Sequence, residues 1–322
     1  ISEFSVVEKN EEETALVLQM SREIDSPDSN MLFGSLENMF LWDSNRISYI
    51  SDLHLMHRIK NAGCKSKEDV IYTMKKIIDS ILADSSSLTL IGGDVSSEFL
   101  IFELFVKMLR KLAGLRSRNF VFVLGNHEIW NFPGLPMDEI ADKYRTVLKE
   151  NGMFLLHNDL FYRNESDDIG IIPYDELIQS DNKALLEKLR CARLVILGGL
   201  GFSGYNEDFN ANDGVYRATV DRKTEIQESK KFEQLYDKLT NVLAKKNTVI
   251  FTHTPKKDWC ADADFHNDFV YVSGHTHRNI FFDDGVKRIY ADNQIGYRNE
   301  NPQLKSFLMN QEYDYFGDYE DG

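Results

Sequence analysis

The chain has 322 residues, of which 42% are hydrophobic, and its formal net charge is −15. This is enough for one large domain with a sizeable core, and no apolar run approaches the roughly 18 residues that a membrane span requires. General nucleic-acid-binding proteins usually have a basic balance, so an extended nucleic-acid groove is disfavoured. An acidic enzyme still binds phosphate when metal ions supply local positive charge.

The cysteines are few and widely spaced, at Cys64, Cys191 and Cys260. Their odd number and spacing argue against a disulfide framework and against a zinc cluster. We therefore expect a reducing compartment. Since the first residues lack the basic-then-apolar pattern of a signal peptide, we expect a cytoplasmic location.

Three regions are predicted along the chain. Residues 1–45 are interpreted as an N-terminal extension, whose first residues, Ile1-Ser2-Glu3-Phe4, are expected to be a remnant of cloning. Residues 46–300 are predicted to form the main domain, and residues 301–322 an acidic, tyrosine-rich tail. No internal repeat and no long linker divides the main domain.

Apolar periodicity predicts alternating strands and helices in the main domain. Strands are predicted at 46–50, 87–91, 120–124, 194–197, 248–251 and 269–272, with short strands over 154–172 and a hairpin of 280–282 with 288–290. Helices are predicted at about 66–84, 97–112, 138–151, 174–190 and 219–246, and a polar loop at 58–65. This alternation is typical of βαβ units and a mostly parallel sheet.

Five of these strands end in residues of metal-ligand type. They are followed by Ser51-Asp52-Leu53-His54, Gly92-Gly93-Asp94, Gly125-Asn126-His127-Glu128, Thr252-His253 and Gly274-His275-Thr276-His277. Carboxylate oxygens, amide oxygens and imidazole nitrogens all bind divalent metals, and open α/β sheets carry their sites at the carboxyl ends of strands. One such strand end is more often an ordinary turn. Five of them together predict a single metal site.

The order of these motifs resembles that of the calcineurin-like metallophosphoesterases. The motifs are Asp52-x-His54, Gly93-Asp94, Gly125-Asn126-His127-Glu128, His253 and Gly274-His275-x-His277. Because they run from residue 51 to residue 277, the resemblance covers most of the chain. It implies an α/β fold, a four-layer α/β/β/α sandwich. It also implies a metallophosphoesterase domain with a dinuclear metal centre that hydrolyses a phosphoester.

The resemblance also implies a ligand set. The implied ligands are Asp52, His54, Asp94 and His277 for one ion, and Asp94, Asn126, His253 and His275 for the other. Asp94 would be the anionic bridge that offsets the repulsion between two ions roughly 3.5–4 Å apart, which together generate hydroxide for in-line attack on phosphorus. Manganese is expected, with iron or zinc as alternatives.

His127 has no metal ion in this assignment, and the resemblance makes it the acid that protonates the leaving oxygen. Glu128 either orients His127 or caps the segment that follows. In extended backbone, residues two apart point the same way. We therefore expect both the Asp52-x-His54 segment and the His275-x-His277 segment to be extended.

One departure from the family bears on the substrate. Protein serine/threonine phosphatases of this superfamily continue Gly-Asp-x-x-Asp-Arg, whereas here Ser97 and Glu98 replace the Asp-Arg pair. Since that arginine would help to bind a phosphomonoester, we prefer a phosphodiester, such as a nucleotide or a nucleic-acid end. A small-molecule or phosphoprotein monoester is the alternative. Candidate substrate contacts, with solvated surface as the other interpretation, are Lys256, Lys257, Arg278 and Tyr205.

Two interpretations from other functional classes are weighed against this one. A catalytically silent protein-binding scaffold would have lost ligands, and all seven are present here. Residues 199–204 match the dinucleotide fingerprint literally, but no helix opens at the third glycine, so a surface loop is predicted instead. His57 and His157 are interpreted as a solvated loop histidine and a core or edge histidine, respectively.

Overall fold

The structure is a computed structural model that describes residues 45–114, 118–202, 220–244, 246–255, 265–266, 268–284, 288–291 and 301–309. The predicted N-terminal extension therefore lies outside the described residues, apart from Asn45.

The described residues form strands and helices in close alternation. The strands are β1 (Arg46–Ile50), β2 (Leu88–Ile91), β3 (Asn119–Phe122), β4 (Phe154–Leu155), β5 (Asp159–Asn164), β6 (Ile169–Ile172), β7 (Ala192–Gly201), β8 (Thr248–Thr254), β9 (Phe269–Ser273), β10 (Ile280–Asp283), β11 (Arg288–Ala291) and β12 (Lys305–Leu308). The helices are α1 (Leu55–Asn61), α2 (Lys67–Asp84), α3 (Phe99–Ala113), α4 (Asn126–Ile129), α5 (Met137–Glu150), α6 (Tyr174–Gln179), α7 (Asn182–Lys188) and α8 (Arg222–Leu243).

The strands make two sheets. The first has the order β12-β1-β2-β3-β4, and its strands β1 to β4 pair in parallel. The second has the order β10-β11-β9-β8-β7-β5-β6. In the second sheet β11, β9, β8 and β7 pair in parallel, and the outer strands on both sides are antiparallel.

Side chains alternate between the two faces of each strand, and this alternation builds the layers. Tyr49 and Val121 of the first sheet share a buried cluster with Ile196 and Phe251 of the second, which is the core between the sheets. Their neighbours face outward, because Ile50 and Phe122 pack in a separate cluster with residues of α2, α3 and α5. A third cluster joins the outer face of the second sheet to α8. The predicted four-layer α/β/β/α sandwich is confirmed.

Helix starts follow the capping chemistry of the sequence. Ser66 caps α2 in a capping box, where its hydroxyl accepts from the Asp69 N–H and the Asp69 carboxylate accepts from the Ser66 N–H. Asp221 caps α8 by accepting from the N–H groups of Lys223 and Thr224.

Several local predictions differ from the structure. Residues 58–61, predicted as loop, belong to α1, which is anchored by burial of Leu55 and Arg58. The helix predicted over 174–190 is two helices, because Asp181 caps a new start. Strand β7 extends through Gly201 with buried glycines, so residues 199–201 are not surface loop. Strand β12 lies beyond residue 300, within the predicted tail.

Within the ranges that the structure describes, no helix combines the length and apolarity needed to cross a membrane.

Candidate metal centre

The candidate metal centre lies where the carboxyl ends of strands from both sheets meet. Parallel pairing brings the residues after β1, β2 and β3 to one edge of the first sheet. Backbone hydrogen bonds join these turns directly, since Asp52 N donates to Gly93 O at 3.1 Å and His54 N donates to Asp94 O at 2.9 Å. In the second sheet, Gly274 N donates to His253 O at 3.0 Å. Each ligand-bearing turn is thus held by its neighbour.

The close approach of the turns depends on glycine. A Cβ on Gly125 would lie 2.2 Å from Asp94 Oδ1, and a Cβ on Gly274 would lie 2.0 Å from Ser51 Oγ. These separations are shorter than any non-bonded contact, so neither position has room for a side chain. The glycines in the motifs therefore serve packing between the strand ends.

The backbone is left-handed at five of the seven predicted ligands. The φ angles are +56° at Asp52, +43° at His54, +50° at Asp94, +66° at His275 and +55° at His277. The expectation of extended Asp-x-His and His-x-His segments is therefore wrong. Asp and His are among the non-glycine residues that adopt this region most readily, and each such residue turns the chain so that its side chain points into the cluster.

The structure brings four predicted ligands of the first ion together. Asp52, His54, Asp94 and His277 each offer one ligand atom, and these atoms lie within 4.8 Å of one another. His54 Nε2 is 3.6 Å from Asp94 Oδ2 and 3.7 Å from Asp52 Oδ1. His277, the most exposed member, has Nε2 at 3.6 Å from Asp52 Oδ1. Ligand atoms about 2 Å from a shared ion are separated by distances of this order.

Two of these atoms are in an environment that suits binding of a cation. Among the described residues, Asp52 Oδ1 and His54 Nε2 are buried and have no hydrogen-bond partner. A buried polar atom without a partner is costly, and an anionic oxygen facing an imidazole nitrogen suits a divalent ion. The residues present therefore fit a metal ion at this position.

The predicted ligands of the second ion converge on Asn126. Its Oδ1 lies 3.0 Å from His253 Nε2 and 3.0 Å from His275 Nδ1. Asp94 belongs to both sets through different oxygens, because Oδ1 is 3.5 Å from His253 Nε2 while Oδ2 faces His54. His253 Nδ1 bonds to Gly92 O at 2.7 Å, which leaves Nε2 directed at the cluster.

Buried charges of opposite sign shift each other's pKa at the core of the cluster. Burial opposes ionisation of Asp94, but His253, His127 and His54 outweigh it and hold the pKa of Asp94 well below its usual range. Burial likewise opposes the charged form of His253, yet Asp94 raises the pKa of His253 to about 9. His275 differs, because burial and the neighbouring His253 lower its pKa to about 4.

Glu128 fastens the turn after β2 to the turn after β3. Its fully buried carboxylate accepts from Asp94 N at 2.9 Å, Ser96 N at 3.0 Å and Gly125 N at 2.8 Å. Burial, with Asp94 adding repulsion, raises the pKa of Glu128 to about 7. The bond to Gly125 N, at the start of α4, confirms the capping interpretation of Glu128.

His127 lies at the edge of the cluster. Its Nε2 is 3.7 Å from Asp94 Oδ2, and its backbone N–H donates to Asp94 Oδ1 at 2.9 Å. The side chain is 17% exposed, so solvent and a ligand reach the imidazole. All eight predicted site residues therefore lie in one connected group of contacts.

The remaining sequence candidates lie outside this group or outside the described residues. Arg278 is exposed directly after His277. His57 is exposed on α1, with its ring centroid 5.7 Å from that of His54. His157 is buried beside Asp138 instead. The residues predicted to contact substrate that lie outside the described ranges are Tyr205, Lys256 and Lys257.

Two contacts of the site have no counterpart among the sequence predictions. Glu128 bonds to two N–H groups of the turn after β2, and the Trp130 ring lies 4.0 Å from the His127 ring between centroids. The three-residue spacing of Trp130 from His127, across a helical turn, was the available signal for the second contact.

Comparisons with known proteins agree with this architecture. Residues 46–279 match the sequence profile of the family described as calcineurin-like phosphoesterase. No curated protein sequence matches the chain.

Two solved structures are similar in fold at low identity. Phosphopantetheinyl hydrolase from Mycobacterium tuberculosis has a TM-score of 0.43 and 17% identity, over 83% of this chain and 97% of that chain. A dimetal phosphatase from Danio rerio has a TM-score of 0.34 and 11% identity, over 82% of this chain and 92% of that chain. Neither similarity carries an argument about substrate.

Proposed function

The chain belongs to the calcineurin-like phosphoesterase family and is a metal-dependent phosphoester hydrolase. On this basis we propose that its preferred substrate is a phosphodiester, such as a nucleotide or a nucleic-acid end. We also propose which residues hold the metal ions and which residue acts as the acid.

The proposed ligand set is supported by one observation above all. Asp52 Oδ1 and His54 Nε2 are buried without hydrogen-bond partners, among the described residues, inside a cluster of carboxylate, amide and imidazole groups. The proposed ligands are Asp52, His54, Asp94 and His277 for one divalent ion, and Asp94, Asn126, His253 and His275 for the other. When bound, such a pair of ions neutralises charge on the phosphoryl group and lowers the pKa of the attacking water.

Manganese is the proposed metal, with iron and zinc as alternatives. The ligand set combines carboxylate and amide oxygens with imidazole, and it contains no thiolate. Oxygen-rich sets with imidazole suit manganese, iron and zinc, whereas thiolates would favour zinc or copper.

His127 is the proposed acid. Attack in line on phosphorus expels an oxygen on the opposite side, and that oxygen needs a proton unless it belongs to a very acidic alcohol. The His127 imidazole borders the cluster, is partly exposed, and has its Nε2 3.7 Å from Asp94 Oδ2. These features support proton donation from His127 to the leaving oxygen.

The side chains that follow Asp94 support the preference for a diester, because they include a carboxylate and no arginine. Ser97 is half-buried and Glu98 is exposed at the start of α3, where related phosphatases have an Asp-Arg pair. A monoester is dianionic near neutral pH, so a carboxylate in place of an arginine disfavours it. A diester has a single negative charge, so the carboxylate repels it less.

A cytoplasmic location stays part of the proposal. Cys64 and Cys191 are free thiols, which supports a reducing compartment. Cell fractionation with an antibody against the protein tests this point.

The substrate class is tested by comparing bis-para-nitrophenyl phosphate with para-nitrophenyl phosphate as substrates of the manganese-loaded protein. We expect turnover of the diester with a higher kcat/KM than that of the monoester. Turnover of the monoester alone would show a phosphomonoesterase and would contradict the proposed phosphodiesterase. Turnover of neither, in protein that contains metal, would favour the scaffold interpretation.

A further inference from the structure

The His127 imidazole contacts two aromatic rings. Its centroid lies 4.5 Å from that of His54, with the planes at 80°, and 4.0 Å from that of Trp130, with the planes at 38°. The first contact is edge-on with a proposed metal ligand. The second is a tilted stack with a residue that has no part in the proposed metal chemistry.

We infer that Trp130 is a positioning residue, whose indole holds the His127 imidazole in the orientation from which it protonates the leaving oxygen. The inference rests on the proposed acid role of His127. It adds a residue that acts through His127 and contacts neither metal nor phosphorus.

The local helix presents the indole to the imidazole. Trp130 caps the carboxyl end of α4, and its N–H donates to Asn126 O at 3.1 Å. Residues three apart on a helical turn lie on the same face, so His127 and Trp130 are neighbours by geometry. Any residue at this position would lie near His127, but only a flat aromatic ring can stack on it.

The turn that carries Trp130 is itself anchored. Asn131 Nδ2 donates to Tyr144 Oη at 3.2 Å, and Asn131 Oδ1 accepts from Phe99 N at 3.2 Å. Tyr144 Oη in turn donates to Glu128 O at 3.0 Å. The turn that carries Trp130 is therefore tied to α3 and α5, which fixes the backbone from which the indole projects toward the imidazole.

The contact with Asp94 does not by itself fix the orientation of the imidazole. His127 Nε2 is 3.7 Å from Asp94 Oδ2, which is longer than a hydrogen bond. At this distance the carboxylate does not set the direction of the ring N–H. A stacked indole restricts rotation of the ring and so preserves that direction.

A role in positioning an acid predicts a dependence on the leaving group. Para-nitrophenolate is a stable anion that departs without a proton, whereas unsubstituted phenolate is much more basic and gains from protonation. Loss of the Trp130 stack should therefore slow cleavage of diphenyl phosphate more than cleavage of bis-para-nitrophenyl phosphate. A purely structural defect would slow both equally.

The experiment measures kcat for both diesters with manganese-loaded wild type, Trp130→Leu, Trp130→Phe and His127→Ala. The matched control is Phe132→Leu, because Phe132 is on the same turn but packs against Phe99 at 5.3 Å and Tyr144 at 6.0 Å. Metal content of each variant is measured in parallel. If Trp130→Leu loses metal, Trp130→Met, whose unbranched and flexible side chain adapts better to the space left by the indole, gives the same comparison. Should wild type cleave only monoesters, phenyl phosphate and para-nitrophenyl phosphate replace the diesters.

We expect Trp130→Leu to lower kcat for the phenyl ester about 10-fold more than for the nitrophenyl ester, because misplacing a catalytic group costs up to about 100-fold. Trp130→Phe and Phe132→Leu should keep the ratio of the two rates within about 3-fold of wild type. His127→Ala should show the largest selective loss, of about 100-fold or more.

Two results would overturn the inference in distinguishable ways. Suppose that His127→Ala slows cleavage of the phenyl ester selectively, but Trp130→Leu slows cleavage of both esters equally or slows neither. In that case Trp130 does not position the acid. If His127→Ala is itself unselective, the acid role in the proposed function fails, and the inference fails with it.

Discussion

A single buried carboxylate, that of Glu128, joins the turn that carries Asp94 to the turn that carries Asn126. It accepts hydrogen bonds from three backbone N–H groups, and its own pKa is raised to about 7. Burial makes the charged form costly, and the three donors offset part of that cost. Glu128 therefore positions the two turns of the site through hydrogen bonds to their backbone.

Glu128→Ala should lower the free energy of unfolding by about 3 kcal/mol or more, since it leaves three buried N–H groups without an acceptor. Urea denaturation measures the change. The matched control is Glu103→Ala on α3, whose partly exposed carboxylate bonds to Lys107, and its effect should stay within about 0.5 kcal/mol. Equal effects of the two substitutions would contradict the role given to Glu128.

His157 predicts a pH dependence that is independent of the metal centre. Burial lowers its pKa below the ordinary value of 6.5, although Asp159 of β5, Glu228 of α8 and Asp138 of α5 favour the charged form; Arg145 of α5 lowers the pKa further. The native state thus binds fewer protons than the unfolded state just below pH 6.5. Stability is fully present above that pH and is lost as the pH falls through the window between the unfolded and folded pKa values.

His157→Phe should remove this contribution, because an apolar ring of similar size has no charge to suppress. The free energy of unfolding at pH 7.5 and pH 5 gives the comparison. We expect wild type to lose more stability over this range than the variant, by up to about 1 kcal/mol per pH unit. An unchanged pH dependence in His157→Phe would assign the acid sensitivity to other groups.

Single-residue geometry is also where the sequence was least informative. Spacing alone predicted that Asp52-x-His54 is extended, yet both residues have left-handed backbone. The turns are forced into this conformation by contacts with turns of other strands, such as the bond from His54 N to Asp94 O. Those contacts join residues far apart in the sequence, so a local pattern cannot reveal them.

At the scale of secondary-structure elements, the site depends on how closely the ends of β1 and β9 approach. Gly274 follows β9, and an added Cβ would lie 2.0 Å from Ser51 Oγ and 2.5 Å from Asp52 Oδ2. Accommodating it requires the two sheets to separate at the position of the proposed ligands. Gly274 is therefore a constraint between elements, which no property of β9 alone would reveal.

Gly274→Ala should lower kcat/KM about 100-fold and reduce bound metal, since displacement of a catalytic group by about 1 Å has an effect of that size. The control is Gly114→Ala at the end of α3, where φ is +64° and no atom lies within 4 Å of an added Cβ. That variant should lose some stability through backbone strain but keep its metal content and activity. Wild-type metal content in Gly274→Ala would contradict the constraint.

Element prediction succeeded where a strong local signal exists. Strand β1 follows from an apolar run, and helix α2 follows from apolar residues at the helical period. The helix predicted over 174–190 failed because its apolar period continues through Ser180 and Asp181, where a cap starts a second helix. Strand β12 was missed since a short edge strand is recognised only by its place beside β1.

At the scale of the whole molecule, a net charge of −15 coexists with a function that binds anionic phosphoesters. The proposed centre reconciles the two, because buried Asp52 and Asp94 would attract divalent ions that reverse the local sign of the potential. The family resemblance that the order of the motifs carries was sufficient to predict the four layers. The distances between ligand atoms could not be predicted from the sequence, because they depend on how the two sheets pack against each other.

We propose that Asp94 bridges two divalent ions and that this pair makes the protein a hydrolase. The most direct test measures bound manganese per chain and bis-para-nitrophenyl phosphate turnover in wild type, Asp94→Asn and the control Asp79→Asn. Asp79 is a half-exposed residue of α2 that pairs with Lys75. We expect about two ions per chain and turnover for wild type and for the control. For Asp94→Asn we expect the loss of at least one ion, with turnover reduced about 1,000-fold. Wild-type turnover by Asp94→Asn, with its metal retained, would exclude the bridging role of Asp94.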